Sequence, residues 1–221
     1  MIQSRRSLRH TAFTLVELLV VITIVGLLVA LASPVVLQTL QAAKLSKSLQ
    51  NLRQVGGALL LYASENDASL PARVVAPPRS GKWPALIYPY LNEPTVYLDP
   101  VDAAKYKIRK EDILTGNGSN KSSYLINGFN DLGALVDPEL QVSLLRIGTL
   151  SNTILLGKKY VSKGDYYMDV NEGAGNHVTV LDWTTYGRKA NFFFADGSAR
   201  TLLQTDYQAE LWLVDKTYSL P

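Results

Sequence analysis

The longest apolar stretch of the chain covers residues 13–37, and Glu17 is its only charged residue. At a rise of about 1.5 Å per residue, a helix of this length spans about 37 Å, enough to cross the hydrocarbon core of a bilayer. Pro34 interrupts or kinks such a helix without ending it, because the apolar pattern resumes at once. The pattern therefore predicts a membrane-spanning helix with one carboxylate near its N-terminal end.

The apolar periodicity continues beyond this stretch, with charged residues on the other faces. Residues 38–66 are therefore predicted to form an amphipathic half of the same helix, packed against a globular domain. The adjacent glycines Gly56 and Gly57 either weaken the helix locally or let another element approach closely. The recurring small or apolar positions are Ala42, Leu45, Leu49, Leu52, Gly56, Leu59 and Ala63.

The remaining 67–221 region is predicted to form one domain that contains an antiparallel sheet. Its proline-rich part, residues 67–112, predicts loops, brief helical turns and one short strand. Two later strand signals flank Asp196 and Gly197, a hairpin signal because glycine accepts positive φ. Residues 211–214 close the chain as a short helix or strand. The predicted fold class is α+β, a long N-terminal helix packed on the sheet. The strand-like segments are residues 124–126, 153–156, 166–170, 177–181, 191–195 and 199–203.

Composition excludes several kinds of chemistry. The chain contains no cysteine, so disulfides, thiol catalysis and thiolate metal sites are excluded. Its two histidines are His10, in the basic N-terminal stretch, and His177. A zinc site with two imidazoles and a Ser-His-Asp triad therefore have little support. We predict that the chain is not an enzyme.

The net charge of +3 resides in residues 1–12, which contain three arginines and no acid. Without them, 19 basic residues face 19 acidic ones, and the rest of the chain is neutral. A broad electrostatic footprint for nucleic acid is absent from this balance, so no nucleic-acid partner is expected. The local basic run at residues 105–110 is interpreted as a solvated face.

The N-terminal sequence carries a known processing pattern. The basic residues 1–12 end at Ala12, and Phe-Thr-Leu-Val-Glu follows at residues 13–17. This arrangement resembles the type IV prepilins and the pseudopilins of type II secretion. The resemblance implies that a prepilin peptidase cuts between Ala12 and Phe13 and that the new Phe13 amine is methylated. The chain departs from the family at Ala12, where glycine is usual.

The same resemblance implies a role for Glu17, whose carboxylate pairs with the amino terminus of a neighbouring subunit during assembly. Phe13 and Glu17 are then the assembly residues. The chain divides into a leader (1–12), a membrane and assembly half-helix (13–37), an amphipathic half-helix (38–66) and an extracytoplasmic domain (67–221).

The implied protein is a structural fibre subunit, in the first place a type II secretion pseudopilin. Its expected partners are identical or related subunits, the peptidase and methyltransferase, and the assembly machinery of a secretion system or pilus. It is expected to cross the inner membrane once, with a cytoplasmic N-terminus and a periplasmic domain, before it enters an extracytoplasmic fibre.

Other interpretations of the N-terminal residues are open. Glu17 lies one turn into the helix and could reach the headgroups by snorkelling. Ala30-Leu31-Ala32 could be cut by an ordinary signal peptidase, which would release a protein that begins at Ser33. The paired arginines in residues 4–8 also partly match a twin-arginine export signal.

Two other functions are alternatives to the pseudopilin. One is a minor type IV pilin that serves adhesion or DNA uptake. The other is a membrane-anchored module that binds a glycan or another surface ligand through Trp83, Tyr88 and Tyr90. Residues 83–91 form an aromatic cluster for which core packing is the favoured interpretation.

In scattered patches over most of its length, the chain is also similar to a large group of pseudopilin-like proteins with a prepilin-type amino terminus. Residues 191–197 read Asn-x-x-Phe-x-Asp-Gly, as many members of the group do. Where many members have histidine ten residues before that aspartate, this chain has Tyr186. Where they have Cys-Pro, it has Asp99 and Pro100.

Calcium is the one cofactor that the resemblance suggests, since major pseudopilins often bind it in a C-terminal loop. Residues 165–176 are rich in oxygen ligands, and Asp165, Asp169 and Asn171 are the candidate ligands. The segment begins like a calcium loop but lacks the closing acid.

Overall fold

The computed structural model describes residues 14–73, 82–115, 121–134, 136–170, 176–218 and 220. The chain divides into two compact units, residues 1–42 and 43–221. Among the described residues of the first unit, the only element is the N-terminal part of helix α1 (Leu15–Ser64). The second unit contains the rest of α1 and all the other elements.

Helix α1 follows the predicted periodicity. It continues through Pro34 and ends at Ser64, two residues before the predicted end. Asp67 and Ala68 then adopt positive φ values of 53° and 58°, which turn the chain away from the helical direction. Within the second unit one face of α1 is buried, at Ser48, Asn51, Leu52, Val55, Gly56, Ala58, Leu59, Tyr62 and Ala63.

The proline-rich region contains helices and turns. Helix α2 (Trp83–Leu91) begins with Pro84 in its first turn, where a missing N–H costs nothing. Helix α3 (Lys110–Thr115) is shorter. In the described part of residues 67–112 there is no strand, so the predicted short strand is not found there. A single bridge joins Ser69 to Ser143. Short 3-10 helices cover Pro94–Tyr97, Asn130–Leu132, Leu144–Arg146, Leu150–Asn152 and Ala209–Trp212.

Five strands form one sheet in the order β3-β1-β2-β4-β5. Neighbours are antiparallel except β1 and β3, which pair in parallel. The α+β fold class is therefore confirmed, although the sheet is mixed rather than wholly antiparallel. The strands are β1 (Tyr124–Asn127), β2 (Ile154–Lys158), β3 (Tyr167–Met168), β4 (Lys189–Phe194) and β5 (Ala199–Leu203).

The predicted strand at residues 177–181 is wrong. Residues Asn176–Val180 form helix α4. Val178 and Thr179 are exposed while the next two residues, Val180 and Leu181, are buried. A strand would bury alternate residues, so this pattern does not fit one. Leu181 keeps a single antiparallel bridge to Lys159.

Both faces of the sheet are covered. On β4, Phe193 belongs to the apolar cluster that includes the buried face of α1, whereas Phe192 and Phe194 belong to the cluster around Trp212. A Cβ atom at Gly56 would lie 2.4 Å from the Phe193 ring, while one at Gly57 would meet nothing within 4 Å. Gly56 therefore permits the close approach of α1 and β4.

The Asp-Gly sequence forms the turn between β4 and β5. Gly197 has a φ of +83°, and Asp196 Oδ1 accepts hydrogen bonds from the backbone N–H and the hydroxyl of Ser198. Its other oxygen pairs with Arg200 at 2.8 Å. These contacts give this motif a structural role in the hairpin.

Candidate functional site

Helix α1 begins with a reciprocal contact between Thr14 and Glu17. Glu17 Oε2 accepts hydrogen bonds from the Thr14 backbone N–H at 2.8 Å and from its hydroxyl at 2.7 Å. The Thr14 hydroxyl oxygen accepts one from the Glu17 N–H at 3.2 Å. This is a capping box, and it places the carboxylate at the positive end of the helix dipole. Ala12 and Phe13 lie outside the described residues, so the Phe13 contact with Glu17 stays a prediction.

The N-terminal part of α1 presents apolar side chains that the first unit does not cover. Their exposed fractions run from 81% at Leu15 to 49% at Val21. Within this helix an 18-residue window reaches a mean hydropathy of 2.9, and none of it is buried. A core helix of a soluble domain would bury such a surface. By length and composition α1 is able to cross a membrane.

The aromatic residues of α2 do not form an exposed binding surface. Trp83 is fully buried, and its indole N–H donates to the Tyr166 carbonyl at 2.9 Å. Tyr88 is buried too, and the half-buried Tyr90 donates to Glu65 at 2.6 Å. The core-packing interpretation is confirmed for Trp83 and Tyr88, and the glycan platform loses two of its three residues.

Asp169, one of the candidate calcium ligands, faces a cation of the protein itself. Its Oδ2 accepts from Arg73 Nη2 at 2.7 Å, and Oδ1 accepts from Nη1. Asp165 is half-buried, and Asn171 lies outside the described residues. Among the described residues no group of three or more His, Asp or Glu side chains could hold a metal ion. As placed, Asp169 fits an ion pair better than a calcium shell, and calcium binding stays a prediction.

His177 lies in α4, half-buried, with its ring 6.0 Å from that of Tyr207. Burial lowers the pKa of His177, and Glu210 opposes this effect. Its Nδ1 atom is buried and has no hydrogen-bond partner within the part of the chain that the structure describes. In a Ser-His-Asp triad the acid binds that atom. The described residues therefore provide no triad acid at Nδ1.

A buried charged cluster, which the sequence analysis did not find, lies at the end of β2. Lys158 is fully buried, and its Nζ atom lies 2.6 Å from Asp182 Oδ2 and 3.3 Å from Asp102 Oδ2. Burial lowers the pKa of Lys158, but Asp99, Asp102 and Asp182 outweigh this effect and raise it. No sequence signal distinguishes this lysine, because lysines are almost always exposed.

The cluster reaches α1 through two tyrosines. The Tyr186 hydroxyl donates to the Asp99 carboxylate, and it lies 3.4 Å from the Lys44 carbonyl oxygen. The Tyr124 hydroxyl lies 3.4 Å from the Ser48 carbonyl oxygen. Burial, and then the charge of Asp99, raise the pKa of both tyrosines, so both remain protonated. The cluster thus fixes this part of α1 to the sheet.

Comparison with known protein families decides the nature of the N-terminal segment. Residues 8–33 match the family model described as the prokaryotic N-terminal methylation motif. The chain carries the methylation motif. This motif is the prepilin-type cleavage and methylation signature of pilins and pseudopilins, as the sequence resemblance predicted. No curated protein and no solved structure matches the chain.

The methylation motif contains the capping box and the first part of the exposed apolar helix. It supports a pilin-like or pseudopilin subunit and a membrane-anchored protein. It also implies processing by prepilin peptidase and assembly with related subunits. The motif covers 26 of the 221 residues and therefore describes the N-terminal segment rather than the domain.

Proposed function

We propose that this protein is a structural subunit of a pilus-like fibre, and specifically a type II secretion pseudopilin. The observation that carries the proposal is the methylation motif on a helix whose apolar surface is uncovered. In the inner membrane, lipid covers this surface. In a fibre, the helices of neighbouring subunits cover it, so assembly replaces lipid contacts by helix packing.

Processing supplies the charge that Glu17 needs. Cleavage between Ala12 and Phe13 creates an ammonium group four residues before Glu17. A carboxylate within an apolar segment is costly, and an opposite charge is its usual partner. Both hydrogen bonds from Thr14 use Glu17 Oε2. We assign Oε1 to the Phe13 ammonium of a neighbouring subunit, which would set the register between two helices while the capping box stays intact.

The domain can remain folded throughout assembly. Its core includes both faces of the sheet and the buried face of α1 from Ser48 to Ala63. The residues of the methylation motif lie outside that buried face. Shearing fibres from cells tests the proposal. Sheared fibres that contain this chain with Phe13 as its first residue support it, and a chain found only in the membrane fraction contradicts it.

A further inference from the structure

Lys158 and Asp182 form a short ion pair that is almost completely buried. Nζ and Oδ2 are 2.6 Å apart, and the two side chains are 0% and 3% exposed. Lys158 is the last residue of β2. Asp182 directly follows Leu181, which forms the bridge with Lys159. We propose that Lys158 and Asp182 form an intramolecular amide bond, a cross-link made by the folded domain itself.

The surroundings of Asp182 distinguish its two oxygens. Oδ1 accepts hydrogen bonds from the backbone N–H groups of Thr184 and Thr185, both at 3.0 Å, and from the Thr184 hydroxyl at 3.1 Å. Two backbone donors aimed at one oxygen stabilise the negative charge that develops there during acyl transfer. Oδ2 instead accepts from the Thr185 hydroxyl and from Lys158. Oδ1 is therefore the oxyanion position, and Oδ2 is the leaving oxygen, which already has proton donors.

Asp102 provides the base for the reaction. Its Oδ2 atom lies 3.3 Å from Lys158 Nζ, within reach for proton transfer after a small movement. The Ser123 hydroxyl donates to the same oxygen at 2.6 Å and orients it. The side chain of Asp102 is 14% exposed, so the base, the nucleophile and the electrophile share one closed site. Such fixed proximity is a large part of the barrier reduction in intramolecular reactions.

The reaction balances without any co-reactant. Asp102 takes one proton from the Lys158 ammonium, and a second passes to Asp182 Oδ2 as Nζ attacks Cγ. The Nζ–Cγ bond forms, the Cγ–Oδ2 bond breaks, and Oδ2 leaves as water when Asp102 returns its proton. The ion pair is the starting state, and the product amide has the same net charge. The cross-link removes two buried charges, whose desolvation is costly, and the closed site keeps water from reversing the step.

Tryptic digestion of the full-length chain, followed by mass spectrometry, tests the cross-link without reference to fibre assembly. Trypsin does not cut after an acylated lysine, so residues 147–159 should stay joined to residues 164–188. The joined species should weigh about 18 Da, one water, less than the two peptides together. Separate peptides 147–158 and 164–188 at full mass would overturn the proposal. A link from Lys158 to residues 83–105, which contain Asp99 and Asp102, would overturn the assignment to Asp182.

Two variants separate the chemistry from folding. Lys158→Arg keeps a buried cation but has no primary amine, and it should yield only uncross-linked peptides. Asp102→Asn keeps the size of the side chain and removes the base, so the joined peptide should form about 100-fold more slowly in a pulse-chase experiment. Equal rates for Asp102→Asn and the unaltered chain would show that Asp102 is not the base. Lys163→Arg, a change at an exposed position five residues after Lys158, is the control and should cross-link normally.

Discussion

The Tyr186 hydroxyl lies 2.8 Å from Oδ1 and 2.9 Å from Oδ2 of Asp99, although the two residues are 87 positions apart in the sequence. At both positions the chain differs from the residues that the sequence resemblance to pseudopilin-like proteins implies, which are cysteine at 99 and histidine at 186. The structure shows that the two departures contact each other. Asp99 is fully buried, and its Oδ1 also accepts a hydrogen bond from the Val101 N–H at 2.8 Å.

Tyr186→Phe should destabilise the domain. It removes the hydroxyl donor from the buried Asp99 carboxylate, and the loss of a hydrogen bond to a charged group costs about 1.5–3 kcal/mol. The measurement is the free energy of unfolding in detergent, followed by tryptophan fluorescence. Tyr106→Phe, at an exposed position of the same domain, is the matched control and should change stability by less than about 0.5 kcal/mol. Equal effects of the two changes would remove the role assigned to the contact.

Gly56→Ala and Gly57→Ala should have opposite effects although the residues are adjacent. The new methyl group at residue 56 would lie 2.4 Å from the Phe193 ring, which is buried in the core. A loss of about 1–3 kcal/mol is expected. At residue 57 the methyl group meets nothing within 4 Å, and the higher helix propensity of alanine should stabilise by about 0.4–1 kcal/mol. Thermal unfolding of both variants checks the difference, and a stabilised Gly56→Ala variant would contradict the packing described.

Because of Lys159, the free energy of unfolding should change with pH in the alkaline range. Burial lowers its pKa to about 8 from an ordinary value of 10.5. Between these values the unfolded chain binds more protons than the folded one, so the free energy of unfolding should rise with pH. Lys159→Met should abolish this rise, which is at most about 1.4 kcal/mol per pH unit, and Lys163→Met should retain it. Urea unfolding at pH 7.5, 8.5 and 9.5 gives the slopes. Equal slopes for Lys159→Met and the unaltered chain would contradict the assignment.

The sequence predicts the elements that depend on local pattern, and it misses those that depend on distant contacts. The periodicity of α1 and the Asp196-Gly197 hairpin are local, and the structure contains both. Residues 177–181 contain β-branched residues typical of strands, but tertiary packing overrides this weak preference and a short helix forms. The parallel pairing of β1 with β3 brings together segments about 40 residues apart, which local pattern does not determine.

The candidate site also has one part that the local sequence pattern identifies and one part that it misses. The methylation motif and Glu17 lie in one contiguous stretch of sequence, so the residue pattern alone identifies them. The charged cluster draws Asp99, Asp102, Lys158 and Asp182 from three distant segments, and each residue alone resembles an ordinary surface charge. Only the fold shows that Lys158 is fully buried.

Glu17→Gln separates the charge of this residue from its role at the start of α1. Glutamine preserves the capping box, because it also accepts hydrogen bonds from Thr14, but it offers no charge to a neighbouring ammonium group. Membrane insertion and cleavage after Ala12 should remain normal, while the amount of sheared fibre falls by about tenfold or more, as expected for a loss of about 1.4 kcal/mol per contact. Glu17→Ala removes both the charge and the capping box. This variant should also insert into the membrane and be cleaved, and it should assemble no better than Glu17→Gln. Normal fibres from Glu17→Gln would remove the charge-pairing mechanism.

Mass spectrometry of the mature amino terminus, on protein taken from its native membrane, shows whether the chain is processed as a fibre subunit. We expect the chain to begin at Phe13 and to carry one added methyl group on its amine. A chain that begins at Ser33 would mean that an ordinary signal peptidase releases the protein, and an uncut chain would mean a simple membrane anchor. Either result would contradict the proposal that this protein is a processed fibre subunit.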